Sequence, residues 1–256
     1  MKGCKVTNPD IALIIHSHDL SNLHHVIMPY LENIGRPFDV YLNFSEIVGS
    51  KGEEIKKYKK ELIQNNPHIS FFFTTSDNRG TDNGGFVAST IKAKESGMKG
   101  KYKYVCKLHT KSLGEKVLPL GVTKTQWTYG LLNGLLGSQN RVSEIVSGFD
   151  AWPSIGLVSI KRFYSDCFGI ESNMENYTFF TKKLNLNPNS CFPQNPNFVA
   201  GTMFWMKGEV WDFFMDQDLT LGEFEIGFSS DGLRSHAMER IYEAVSNHLG
   251  YGIYLL

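Results

Sequence analysis

Short apolar runs and helical stripes alternate through the first part of the chain. IALIIHSH (11–18) is an isoleucine-rich run that predicts a strand, and LSNLHHVIMPYLENI (20–34) sets Leu20, Leu23, Ile27, Leu31 and Ile34 at helical spacing. FDVYLNF (38–44) predicts a second strand, and GEEIKKYKKELIQNN (52–66) a charged helix with an apolar stripe of Ile55, Tyr58, Leu62 and Ile63. HISFFFTT (68–75) predicts a third strand, GGFVASTIKAKESG a helix ending near Gly97, and YKYVCKLHT (102–110) a fourth strand. Successive strand–helix units of this kind predict a mostly parallel α/β sheet covered on both faces.

The strict alternation then lapses. TQWTYGLLNGLLGSQNRVSEIVSGF (125–149) is helical with glycine breaks, and SIGLVSI (154–160) and FVAGTMFWMKG (198–208) predict strands. Residues 161–197, rich in Asn, Pro and Ser, predict a long loop with one helix around Asn176–Leu184, placed as a lid over the sheet. In the last segment Leu233, Ala237, Met238, Ile241 and Val245 form the apolar stripe of a helix preceded by Ser229, Ser230 and Asp231.

Composition narrows the partners. Across 256 residues, 26 Lys+Arg balance 26 Asp+Glu, so no net basic field favours a nucleic acid. Cys4, Cys106, Cys167 and Cys191 form no CxxC pair, which predicts reduced thiols. The start, MKGCKVTNPD, lacks an apolar signal region, and no run approaches the roughly 18 apolar residues of a membrane span. A cytoplasmic protein with at most peripheral membrane contact is expected.

Chemistry concentrates in two places. DNRGTDNGGF (77–86) and KLHTKS (107–112) both follow predicted strands, and in an open parallel sheet ligands bind beyond those strand ends. The two stretches are expected to be neighbours. A glycine-rich turn entering a helix presents free N–H groups and a positive dipole end, suited to a phosphate. Arg79, Lys107, His109 and Lys111 supply cationic donors, and Asp82 an acceptor for a sugar hydroxyl or a partner for the basic groups. Asn78 and His16 complete the candidate donor-binding set. Gly80, Gly84 and Gly85 also suit a tight turn and close helix packing, and the spacing is neither GxGxxG nor a P-loop. Asp231 reads either as an N-cap or as a general base, next to a helix face carrying Arg234, His236, Glu239 and Arg240.

The strings NRGTDNGGF, YKYVCKLHTKS, LLNGLLGS, AGTMFWMKGEVW and DGLRSHAMERIY, in this order, resemble the rhamnan synthesis protein F family of polysaccharide glycosyltransferases, from about Ile11 to Tyr254. The resemblance implies one GT-A-like α/β domain over 1–256, with a nucleotide-sugar-binding half (about 10–112) and an acceptor-binding, catalytic half (about 113–256). It implies transfer of a sugar, rhamnose from dTDP-rhamnose as the first candidate, to a glycan acceptor. By the same comparison Asp231 is the first candidate base, with Glu225 and Glu239 as the reserves, and His236 and Arg240, oriented by Glu239, contact the acceptor or the departing phosphate. Many GT-A enzymes carry a metal-binding Asp-x-Asp where this chain has Lys107-Leu108-His109. Hard divalent cations prefer oxygen ligands. The metal is therefore left open, with Asp77 and Asp82 as the acids that remain for one and Lys107, His109 and Lys111 as fixed charges able to replace it. Asp82→Ala is expected to weaken donor binding with the fold intact. A catalytically silent sugar-binding or scaffold module and a nucleotidyltransferase are the other readings.

Overall fold

The computed structural model describes residues 8–45, 52–166, 170–187, 189, 197–227 and 232–256. Nine strands, β1 (Ile11–Ser17), β2 (Phe38–Ser45), β3 (Ser70–Ser76), β4 (Tyr104–His109), β5 (Ile155–Ser159), β6 (Tyr164–Asp166), β7 (Asn197–Val199), β8 (Phe204–Lys207) and β9 (Gly252–Leu255), lie among the described residues. Seven form one sheet in the order β3-β2-β1-β4-β8-β5-β9, and β6 pairs with β7. Pairings β1–β2, β2–β3, β1–β4 and β5–β9 are parallel, while β8 runs antiparallel to both neighbours. The mostly parallel α/β sheet expected from the sequence is thus present, and it extends through both halves of the chain.

Helices cover both faces. They are α1, a run of α (Leu20–Asn22), π (Leu23–Ile27) and 3-10 (Met28–Ile34) turns, then α2 (Gly52–Asn65), α3 (Thr81–Glu95), α4 (Lys124–Leu136), α5 (Gln139–Ala151), α6 (Ile170–Lys183), α7 (Gly208–Asp216) and α8 (Arg234–His248). Side chains alternate across a strand. Ile11, Leu13 and Ile15 of β1 accordingly enter the core beneath α1, α2, α4 and α5, while Ala12 and Ile14 enter the one beneath α3, α6, α7 and α8. On β4, Tyr104, Cys106 and Leu108 take the first face. By the same period His16, Lys107 and His109 project toward the α3/α8 face.

Several expectations change in detail. The segment 125–149 is two helices, because Ser138 caps a new one by accepting from the Arg141 N–H. The strand expected over 198–208 is β7 and β8, separated by a turn through Gly201 (φ 92°) and Thr202 (φ 48°). The lid region 161–197 holds more order than its composition suggests: β6, and α6 starting well before Asn176. Ile63 is 52% exposed, outside the α2 stripe it was assigned to. α7 and β9 were not anticipated. Cys106 is free and buried, whereas Cys4, Cys167 and Cys191 lie outside the described residues. No helix among the described residues is long and apolar enough to cross a membrane.

Candidate functional site

The chain winds from β1 out to β3 and then returns to β4 on the other side of β1, so β1 and β4 flank a topological switch point. Crevices of this kind, beyond the carboxyl ends of the strands, are where α/β sheets bind ligands. His16 and His109 face each other at the last paired position of these two strands. The ends of β3 and β4 are not adjacent, since β2 and β1 lie between them. Contact comes instead from α3, whose first turn passes back across the sheet and lays Asp82 on Lys107.

That contact is the centre of the site. Lys107, 1% exposed, donates from Nζ to Asp82 Oδ2 at 2.5 Å and to the Thr202 carbonyl at 3.0 Å. Thr202 Oγ1 donates to the same carboxylate oxygen at 2.6 Å. The Lys107 ammonium also sits 5.4 Å from the Tyr242 ring centre, and Tyr242 donates to Asn83 Oδ1 at 2.7 Å, fastening α8 to α3. Two β-branched residues bracket the cluster in left-handed backbone, Thr81 at φ 53° and Thr202 at φ 48°. Such conformations cost on the order of 1–3 kcal/mol each and persist where the surroundings impose them.

The electrostatics follow from burial. Burial works against the Asp82 carboxylate, yet the basic groups around it, His109 and Lys107 and then Lys111, carry its pKa well below the usual carboxylate range. Burial in turn drives His109 well below its ordinary value against the pull of Asp82. Lys107 is the cation hydrogen-bonded to the Asp82 carboxylate. His109 Nδ1 stands 3.5 Å from Asp82 Oδ2 and has no hydrogen-bond partner in the protein. Lys111 is lowered to about 8 by burial, with Asp82 and Glu239 opposing. Its ammonium lies 3.9 Å from the centre of the Trp127 ring, whose buried Nε1 also lacks a protein partner. Glu239, on α8, is raised to about 7 by burial and by the Asp82 charge, against Arg240 and Lys111. Arg240 is buried, 4.1 Å above the Phe198 ring and 3.8 Å from Glu239.

The structure gathers Asp82, Lys107, His109, Lys111, Glu239 and, behind them, Arg240. The other sequence candidates are arranged differently. His16 is 5% exposed beneath α3, bonded through Nδ1 to Asn43 Oδ1 at 2.8 Å, with its pKa lowered to about 4 by burial. Arg79 donates to Asp77 at 2.5 Å and to the Phe224 carbonyl at 3.1 Å, and the Asn78 carbonyl accepts from the Gly227 N–H at 2.7 Å. The turn is thus stitched to 224–227. A Cβ on Gly84 would lie 1.9 Å from the Arg79 carbonyl oxygen, and one on Gly85 2.2 Å from His16 Nδ1. These two glycines admit the protein's own atoms, which favours the close-packing reading over a ligand cradle. His236 Nδ1 accepts from the Leu233 N–H, and Glu225 accepts from the Arg234 N–H, so both serve the start of α8. Asp231 lies outside the described residues. Asp77 and Asp82, the acids left for a cation, are bound to Arg79 and Lys107, and no group of three or more His, Cys, Asp or Glu among the described residues is arranged to hold a metal ion.

Sequence reasoning missed Thr202, Trp127 and Tyr242. Thr202 belongs to the AGTMFW string, but only the fold reveals a threonine in glycine-like backbone reaching a carboxylate 120 residues away in sequence. A family model described as rhamnan synthesis protein F matches residues 2–251. No curated protein matches the chain.

Proposed function

Because the chain belongs to the rhamnan synthesis protein F family, which implies a glycosyltransferase-like role in rhamnan synthesis, we propose that it moves a sugar from a nucleotide-sugar donor to a hydroxyl of a growing glycan. The observation that carries this reading is the cluster of side chains at the β1/β4 switch point, where α/β sheets bind ligands. It combines a fixed buried ion pair, a cation in Lys111, two unpartnered donors or acceptors in His109 and Trp127, and the Glu239 carboxyl poised near neutrality. A donor diphosphate seated there meets Lys111, while Lys107 acts through Asp82 and the strand end rather than on the phosphate. This revises the expectation that Lys107 neutralises the diphosphate directly.

Transfer requires that the acceptor hydroxyl lose its proton as its oxygen bonds to the anomeric carbon, while the bond from that carbon to the phosphate oxygen breaks. The pair of electrons leaves with the nucleoside diphosphate, whose added charge Lys111 and Arg240 offset. Glu239 is the proton acceptor that the described geometry supports. Asp231 enters on the family resemblance, as the acid before the same helix. dTDP-rhamnose is the first donor to try, since a 6-deoxyhexose is what a rhamnan synthase incorporates.

The test is a transfer assay with nucleotide-sugars and short rhamnan acceptors, reading both released nucleoside diphosphate and lengthened glycan. Wild type should give both, and Asp231→Asn and Glu239→Gln should separate the base from the bystander. A folded protein that binds sugar but releases no nucleoside diphosphate with any donor would replace this reading with that of a silent sugar-binding module.

A further inference from the structure

Away from the crevice, the edge of the sheet carries a second feature that its own packing does not explain. Trp152 follows α5 and is 52% exposed, and Tyr254 on the edge strand β9 is 42% exposed. Their rings stand 5.7 Å apart, tilted by 32°, over a cavity of about 370 Å³ between α5 and the β5/β9 edge. That volume falls within the roughly 300–1,000 Å³ of ligand pockets. The floor is apolar, built from Ile155 and Val158, whereas the rim carries Ser147 and an Arg141–Glu144 pair at 3.1 Å that is largely open to solvent.

Exposed aromatic rings beside hydrogen-bonding side chains match one ligand class well. A pyranose presents a face of C–H bonds to an aromatic ring and a perimeter of hydroxyls to charged and polar groups; a 6-deoxy sugar adds a methyl group to the apolar side. Tryptophan and tyrosine offer large, rigid contact area at low entropic cost. Arg141 and Glu144 supply a donor fork and an acceptor for vicinal hydroxyls. We propose that the Trp152–Tyr254 edge is a glycan-holding site, distinct from the crevice, that retains the already polymerised 6-deoxyhexose chain between additions. The choice of occupant rests on the reading of the protein as a rhamnan glycosyltransferase. A chain held at two points gains effective concentration at the second, so the acceptor end returns to the crevice faster than a free one would.

The test uses the full chain and rhamnose oligosaccharides of graded length, with binding measured by calorimetry and by saturation-transfer NMR without any donor. Trp152→Ala and Tyr254→Ala remove exposed rings, so folding should be preserved, as a thermal melt checks. The expected result is binding that strengthens with oligosaccharide length and weakens about tenfold in Trp152→Ala, a difference of ~1.4 kcal/mol. Lys111→Ala, a crevice variant, should retain this binding, and Trp152→Ala should keep transfer to the shortest acceptors while losing the preference for long ones. If Trp152→Ala binds oligosaccharides like wild type, or if the Lys111→Ala variant alone loses binding, the site is overturned. A wild-type dimer that Trp152→Ala converts to monomer with unchanged glycan affinity would assign the face to a second copy instead. Failure of the transfer reading is separately visible, because it abolishes nucleoside diphosphate release without touching oligosaccharide binding at the edge.

Discussion

Two acid–lysine pairs are built into the same sheet at opposite ends of its strands. At the amino ends, Asp39 is buried and its Oδ2 accepts from Lys101 Nζ at 2.6 Å and from Tyr102 at 2.7 Å, with Tyr41 closing the network at 3.0 Å. Tyr41, Tyr102 and Trp211 pack edge-on or tilted around it. At the carboxyl ends, Asp82 and Lys107 are just as close, but backbone strain at Thr81 and Thr202 surrounds them, and His109 Nδ1 and Trp127 Nε1 nearby have no protein partner. Buried polar networks that are fully satisfied rigidify a fold. The first pair is such a network. The second leaves hydrogen-bonding capacity unused at the switch point, and that difference, rather than the presence of buried charge, is what marks a candidate site.

Substitutions at the two pairs are expected to have unequal effects. The largest effect is expected at Glu239: if it accepts the proton, Glu239→Gln lowers kcat by about 10²–10⁴-fold, with donor affinity unchanged, as steady-state kinetics and calorimetry would report. Asp82→Ala strands the Lys107 charge in the interior and should cost about 3–5 kcal/mol of stability in chemical denaturation. Asp39→Ala should cost less, because the Lys101 side chain is 31% exposed and can turn to water. The sequence-based expectation that Asp82→Ala spares the fold is thereby revised. Lys111→Ala should weaken donor binding by roughly 1.5–3 kcal/mol, whereas Lys101→Ala should leave it alone. Gly85→Ala drives a methyl into His16 and should destabilise by about 1–3 kcal/mol without changing donor specificity.

The pH profile sharpens the same contrast. Glu239 is raised to about 7 and must lose its proton to act, while Lys111 is lowered to about 8 and must keep its own. kcat/KM should therefore rise as pH passes about 7 and fall above about 8. The limbs belong to the interacting pair. Glu239→Gln should erase the acid limb, and Lys111→Arg should move the alkaline limb upward.

Much of the fold was legible because periodicity is a local property. The period-2 and period-3.6 patterns of β1 to β4 and their helices fix the parallel sheet, and they put Lys107 and His109 at a strand end facing one layer. What the patterns could not convey is which strand ends meet. β3 and β4 lie three places apart, and only the path of α3 brings Asp82 to Lys107. The glycines of DNRGTDNGGF looked like room for a ligand, and their space is taken by a carbonyl and an imidazole from distant or preceding chain. Thr202 could not be found from composition, since its role depends on a positive φ imposed by the β7–β8 turn. β9 was missed because a four-residue edge strand, exposed at alternate positions, has too short a pattern to register.

The β1/β4 switch point is expected to hold a nucleotide-sugar through Lys111 and its neighbours. Calorimetric titration with dTDP-, UDP-, GDP- and CMP-sugars, each with EDTA and with Mn²⁺, on wild type and Lys111→Ala, tests it most directly. A ligand that binds only the folded state also raises its melting temperature, which provides a parallel readout. One donor is expected to bind wild type in EDTA and to bind Lys111→Ala at least about tenfold more weakly. Equal affinity in both proteins, or no binding of any donor under either condition, would contradict it.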